Sequence, residues 1–419
     1  MTARRTRAAA LLAAATIATV TGCSTKASGN DASGGGSDSS GSSVKTGRGI
    51  SGDTITLGSL TDLSGVFAAL GKDVTNAQNL YWDQQNAKGG ICGKYKVKTE
   101  VKDHGYVVQN AVQLYSGMKS DVLAIEQTIG SPVNVALADQ LQADKMVNIP
   151  EAWARSLTDN PENAVVGATY DVEMINGLDY LLDQGLIKEG DKLGHIYFEG
   201  DYGANGLAGS KYFASKHGMT VDEAQIKSTD TDMTAQVTRF KADGVKAILL
   251  TTAPQATASA AGVAAQVGLD VPILGNNPVY APGLLQSPAG AALKSHMYIA
   301  SPVTTFDQQQ LLLQDYQAKY PGTTPSLGVV HGYADALVMD QILEKACKNG
   351  DLTPEGVTKA KQSLAEVDTK DLVVPLDYSK GGSPSQQSYI LQPADGPGGA
   401  KQVKEAFEGA DVKDFKPGS

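Results

Sequence analysis

Five short stretches and one asparagine carry the polar and aromatic residues best placed for chemistry, and their types suit recognition rather than bond making. Thr61-Asp62-Leu63-Ser64-Gly65 offers two hydroxyls and a carboxylate, with Phe67 close behind. Ser64 either touches a bound molecule or caps the helix that follows. Gly130-Ser131-Pro132 opens another helix, with Ser131 as N-cap and Pro132 as first helical residue. A hydroxyl there serves the helix and a ligand acceptor together. Glu151-Ala152-Trp153 leaves a short apolar strand. Trp153 offers a flat apolar wall and an N–H donor. Glu151 suits a ligand cation or amine, or caps a neighbour. Asp201-Tyr202-Gly203 and Thr251-Thr252-Ala253 end two further apolar strands, and Asn277 follows a third. Catalysis is not expected. The chain holds no G-x-S-x-G elbow, no G-x-x-x-x-G-K-[ST] loop and no H-E-x-x-H. Its five histidines are scattered, without metal-ligand spacing. No metal and no cofactor are expected.

The elements that must hold these loops follow an α/β alternation. Ile55, Leu57 and Leu60 make a strand. Leu70, Val74, Ala77, Leu80 and Tyr81 recur at helical spacing, and Gly89-Gly90 stops the helix. Strands are expected at 95–102, 122–128 and 146–149, with helices between them. A second α/β unit begins near Asp171, with strands at 192–198, 219–226, 245–251 and 272–274. A strand is expected at 294–301, then helices at 307–320, 328–348 and 354–364. From about Val367 the pattern reads as β-rich wrapping, with Leu372-Val373-Val374 and Tyr389-Ile390-Leu391. Alternation of this kind implies parallel sheets covered by helices. Ligands bind such sheets at the carboxyl ends of the strands, where all six candidates lie.

Composition narrows the partners. The net charge of −10 argues against nucleic acid and anionic membrane surfaces. Arg4, Arg5 and Arg7 precede an apolar run from Ala8 to Val20, which reads as an export signal too short to span a membrane. Val20-Thr21-Gly22-Cys23 resembles a bacterial lipobox, in which Cys23 is lipidated and becomes the mature N-terminus. Residues 1–22 are then the signal and 23–50 a lipidated cysteine with a Gly/Ser tether. Its span is roughly 25–30 Å as a flexible coil.

The stretch from Thr54 to Gly93 resembles the start of the extracytoplasmic solute-binding proteins of ABC importers, in the leucine/isoleucine/valine-binding group. The matching marks are the first strand, Leu63-Ser64-Gly65, Ala69-Leu70-Gly71, the helix, and Asn86-Ala87-Lys88-Gly89-Gly90-Ile91-Cys92-Gly93. The likeness continues, with gaps, to about Gly396. It implies two Rossmann-like lobes, residues 51–166 plus 301–370 and residues 167–300 plus 371–419, around a ligand cleft. The chain would cross between them near Gly167, Ala300 and Asp371. It also implies a monomer that closes on a small solute and delivers it to a membrane permease; a sensory protein of the same fold is the alternative. A hydroxyl at Gly130-Ser131 would meet a ligand carboxylate, Tyr202 would close over the ligand, and Thr252 would lie nearby. In the resembling family a small residue and a threonine stand where Glu151 and Trp153 stand here, and an acidic residue stands at Asn277. These departures point away from plain branched amino acids, toward a bulky apolar or aromatic compound with a carboxylate, amide or amine. Cys92 and Cys347 would both lie on the first lobe, either bridged or as two separate buried thiols.

The lipobox reading predicts that Cys23→Ser moves the exported protein from the membrane pellet to the soluble fraction. Unchanged membrane association would reject lipidation at Cys23.

Overall fold

The computed structural model describes residues 44–379 and 381–416; Cys23, the signal and most of the tether fall outside them. The chain opens with β1 (Lys45–Thr46), β2 (Ile50–Ser51), β3 (Thr54–Thr61), α1 (Ala68–Ala87), β4 (Lys96–Asp103), α2 (Val108–Met118), β5 (Ile125–Ile129), α3 (Ser131–Ala143) and β6 (Asn148–Glu151). Strands β4, β3, β5 and β6 lie side by side, all parallel, and β2 runs antiparallel to the start of β3. Residues Ile55, Leu57, Val147 and Ile149 face one core with α1; Leu60, Ile125, Val133 and Leu137 face another with α2 and α3. Strands buried on both faces explain why their sequences read as short continuous apolar runs.

The chain then builds a second lobe from α4 (Tyr170–Asp183), β7 (Lys192–Phe198), α5 (Asp201–Lys216), β8 (Thr220–Ile226), α6 (Thr234–Asp243), β9 (Ala247–Thr251), α7 (Pro254–Val267), β10 (Ile273–Asn276), α8 (Gly290–His296) and β11 (Met297–Ser301). It returns to the first lobe as α9 (Gln310–Lys319), α10 (Gly328–Lys348), β12 (Asp351–Leu352) and α11 (Pro354–Gln362), and ends with β13 (Ser388–Pro393) and β14 (Ala400–Phe407). The second sheet has the order β14-β13-β11-β10-β9-β7-β8. Its five central and outer strands are parallel, and β13 and β14 add an antiparallel edge. The result is a two-lobed α/β fold.

Three connecting segments run together between the lobes. Ala168 bridges to Ser385, Val303 to Val373, and the Thr169 N–H donates to Ser383 Oγ at 3.0 Å. Gly167 has φ +142°, and a Cβ there would meet Pro302 at 2.6 Å and the Trp153 ring nitrogen at 2.8 Å. Only glycine lets the first crossing lie this close to the second. Beside them Arg155 donates to both Asp171 carboxylate oxygens, at 2.5 and 2.9 Å, a two-pronged pair in a largely buried setting.

Three expectations change. The third crossing comes later than Asp371: Leu372, Val373, Val374 and Leu376 bury their side chains in the first lobe's core before the chain leaves it. Residues 294–296 finish α8 instead of starting a strand, their Lys294 and His296 sitting at a helix C-terminus, where the dipole favours cations. Leu372-Val373-Val374 makes a single bridge rather than a strand of a sheet.

Cys92 and Cys347 are joined in a disulfide with Cα atoms 5.9 Å apart. It ties the loop after α1 to the end of α10, the two helices that pack along the first lobe. The bridge closes a 255-residue separation, so it constrains the unfolded chain strongly. Replacing both cysteines by alanine is expected to lower unfolding stability by about 2–4 kcal/mol, read as a lower denaturant midpoint with the far-ultraviolet spectrum retained. An unchanged midpoint would mean the bridge contributes nothing.

Candidate ligand-binding site

The β3–α1 turn is held by Asp62. Its two carboxylate oxygens accept from the Gly65 N–H at 2.5 Å and the Phe67 N–H at 2.9 Å. This corrects the reading of Ser64, which is exposed, hydrogen-bonded toward Asp103, and neither caps α1 nor reaches the cleft. The turn aims Phe67 inward, and the first turns of α1 add Leu70, Gly71 and Val74 to the same wall.

At the β5–α3 turn the cap is Gly130 rather than Ser131. Gly130 has φ +98°, and a Cβ there would meet the Tyr106 ring at 2.6 Å, so glycine both makes the turn and admits the ring. Ser131 is the first helical residue. Its hydroxyl is buried, faces the cavity and has no hydrogen-bond partner among the described residues. Glu151 ends β6 next to this turn, its backbone carbonyl accepting from the Gly130 N–H. Trp153 lines the cavity, but its ring N–H donates to the Val166 carbonyl at 2.8 Å and is not free for a ligand. Ala152 is fully buried in the core behind it and does not line the cavity.

From the second lobe, Tyr202 presents its ring at the start of α5 while its hydroxyl donates to the Thr252 carbonyl at 3.1 Å. Thr252 itself is core: its hydroxyl meets Thr257 at 3.3 Å, and it does not line the cavity. Asn277 does line it. Its backbone N–H donates to Glu173 at 3.1 Å, and its side-chain amide nitrogen has no partner among the described residues. Burial pushes the Glu173 carboxyl well above the usual range, partly offset by the Asn277 N–H.

Together these loops surround about 780 Å³ of space, open solvent at the mouth included. Of the expected residues, Phe67, Gly130, Ser131, Glu151, Trp153, Tyr202 and Asn277 meet there; Ser64, Ala152 and Thr252 do not. Tyr106, Tyr170, Tyr280 and His331 also line it and were missed. His331 and Asp335, four residues apart in the otherwise apolar first half of α10, were the available signal. The rings form a run from lobe to lobe: Tyr106 to Phe67 at 5.0 Å, Phe67 to Tyr202 at 6.5 Å, Tyr202 to Tyr170 at 4.5 Å, Tyr170 to Trp153 at 5.9 Å, Trp153 to His331 at 5.1 Å.

Among the described residues no lysine or arginine lines the cavity. Burial holds the Glu151 carboxyl up at about 7 and the His331 imidazole down at about 3, so His331 is neutral. The site can therefore hold a mainly apolar molecule and meet its polar end with neutral donors.

Known proteins match this picture. The model of the family described as periplasmic binding protein matches residues 54–399. A solved fatty acid ABC transporter substrate-binding protein from Thermomonospora curvata is 43% identical, with 89% of this chain and 97% of that one covered and a TM-score of 0.86. A branched chain amino acid ABC transporter protein from Thermus thermophilus, solved with bound valine, shares the fold at 18% identity, covering 87% and 99%, TM-score 0.75. An ABC transporter substrate-binding protein from Aeropyrum pernix does so at 19%, covering 86% and 98%, TM-score 0.74. Such proteins bind small ligands and work with permeases, and the family is one of binding proteins rather than enzymes. A lobed cleft built from strand-end loops, and a family model spanning it from β3 to the start of β14, place this chain in the periplasmic binding protein family, as a substrate-binding protein of an ABC transporter.

Proposed function

We propose that the protein is a lipid-anchored receptor, exported and monomeric, that captures a long-chain carboxylic acid of the fatty acid class and hands it to its permease. The observation carrying this reading is an aromatic and aliphatic cavity whose unengaged donors, the Ser131 hydroxyl and the Asn277 amide, suit one small polar head group. The 43% identical relative named for fatty acids supports it. The alkyl chain lies against Phe67, Trp153, Tyr170 and Tyr202. The carboxylate meets Ser131 at the N-terminus of α3, where backbone N–H groups and the helix dipole favour an anion. Closure of the lobes removes these bonds from water and strengthens each of them. A plain branched amino acid would leave much of this wall without contact, and Asn277 supplies no charge for its ammonium group.

A melting-temperature screen of the purified protein tests the substrate class. Dodecanoate at a hundredfold excess over its Kd stabilises by roughly 2.7 kcal/mol, a shift of several degrees, whereas leucine and valine give none. A larger shift with leucine or valine would overturn the reading.

Ser131→Ala removes a hydroxyl that supports nothing in the unliganded protein. It is expected to leave the melting temperature unchanged and to weaken dodecanoate binding tenfold or more, since a hydrogen bond to a charged group contributes about 1.5–3 kcal/mol. Calorimetric titration measures the loss, and equal affinities would remove Ser131 from the head-group site.

A further inference from the structure

Next to the Ser131 turn lies a polar cluster that substrate capture as described does not use. Glu151 at the end of β6 faces the cavity. Its carboxyl is within hydrogen-bonding reach of Asp335 on α10 and 3.7 Å from the His331 ring nitrogen. Asp335 is fully buried, and neither of its oxygens meets an N–H or O–H donor; the same holds for Glu151 Oε2. Two carboxyl groups in contact, with no donor between or around them among the described residues, coexist by sharing a proton, because two buried like charges at this range repel strongly. Among the described residues, the groups facing the pair from every packed element supply no cation. On α10 they are His331 and Asp335 itself, on β5 Glu126, on α4 Tyr170, and in the segment after α11 Tyr378. Burial keeps His331 neutral, and raises both carboxyls.

A fatty acid carboxylate brought to Ser131 would add a third acidic group at the edge of this cluster. We propose that Glu151 and Asp335 form a proton-carrying anchor, and that binding a carboxylate ligand is coupled to uptake of one proton from solvent. The proposal rests on the carboxylic acid reading of the substrate. In the free protein the pair holds one proton and one negative charge. In the complex it holds two: one bridges Asp335 and Glu151, and the other sits on Glu151, which donates to the ligand carboxylate. The charge of the site is then minus one before and after capture; one O–H bond forms on the Glu151 carboxyl, its proton leaving a buffer acid or hydronium in the solvent. The same pair excludes an unpaired anion when it cannot be protonated, so Glu151 and Asp335 also make loading sensitive to pH.

The test is calorimetric titration of the full chain with dodecanoate between pH 6.5 and 8.5, where the ligand itself stays ionised, its carboxyl titrating near 4.5. Uptake of one proton weakens binding by up to about tenfold per pH unit on the alkaline side. It also makes the apparent binding heat at pH 7.5 differ between phosphate and Tris buffers. Dodecanol, with the same chain and no charge, should bind with an affinity independent of pH. In Glu151→Gln and in Asp335→Asn the dodecanoate slope should flatten, whichever of the two variants retains its melting transition. Dodecanoate affinity that is flat across the range, with equal heats in both buffers, overturns the proposal. So does tighter binding of dodecylamine than of dodecanoate, which would make the pair a cation site. Failure of both dodecanoate and dodecanol to bind at any pH would instead defeat the substrate reading on which the proposal rests.

Discussion

The structure depends on a run of edge-to-face and tilted aromatic contacts that starts in one lobe, enters the other and comes back. Tyr106, Phe67, Trp153 and His331 belong to the first lobe, Tyr202 and Tyr170 to the second, and neighbouring rings lie 4.5 to 6.5 Å apart. Each such pair contributes about 0.5–1.5 kcal/mol beyond the area it buries. Because the run changes lobe, it is complete only when the lobes are together. Several local features make sense as its supports. The Asp62 turn points Phe67 inward, Gly130 makes room for Tyr106, and Gly167 makes room for the indole of Trp153 at the hinge.

Three polar rings in this wall are engaged in the same way. The ring N–H of Trp153 and the hydroxyls of Tyr202 and Tyr280 donate to the backbone carbonyls of Val166, Thr252 and Gly399. These bonds satisfy buried carbonyls and lock the rings, and they leave only apolar faces toward the cavity. Among the described residues, the cavity-lining side chains left unengaged are Ser131, Glu151 and Asn277 on strand-end loops and the His331 Nδ1 on α10. A site with few free polar groups in an apolar surround is selective through those few, because leaving one of them unpaired is costly.

The alternation of strand and helix was readable because the strands are buried on both faces and the helices are long and periodic. The loops that line the cleft were readable for the same reason, since they follow directly from strand ends. Orientation within a loop was not. Ser64 and Asp62 are both good capping residues, and only the fold shows that the carboxylate reaches back to two N–H groups while the hydroxyl faces solvent. Ala152 and Thr252 sit one residue from cavity-lining or strand-end positions, where alternation of side-chain direction turns them into the core. His331 was passed over because it comes from α10, which is remote in sequence from every cleft loop. Leu372 to Leu376 looked like the start of the second lobe's wrapping, yet their side chains complete the first lobe.

The engaged rings have a further consequence. A wall of hydrocarbon faces behaves toward its guest as a second liquid phase would, and transfer into it scales with the surface the guest brings. One methylene more or less changes such a partition by about 0.8 kcal/mol, only a few-fold in occupancy. On the fatty acid reading proposed above, a receptor with this lining would sort molecules by class, tail with head, and would sample neighbouring homologues nearly in proportion to their supply. Its diet would then be set as much by what the surroundings contain as by the protein.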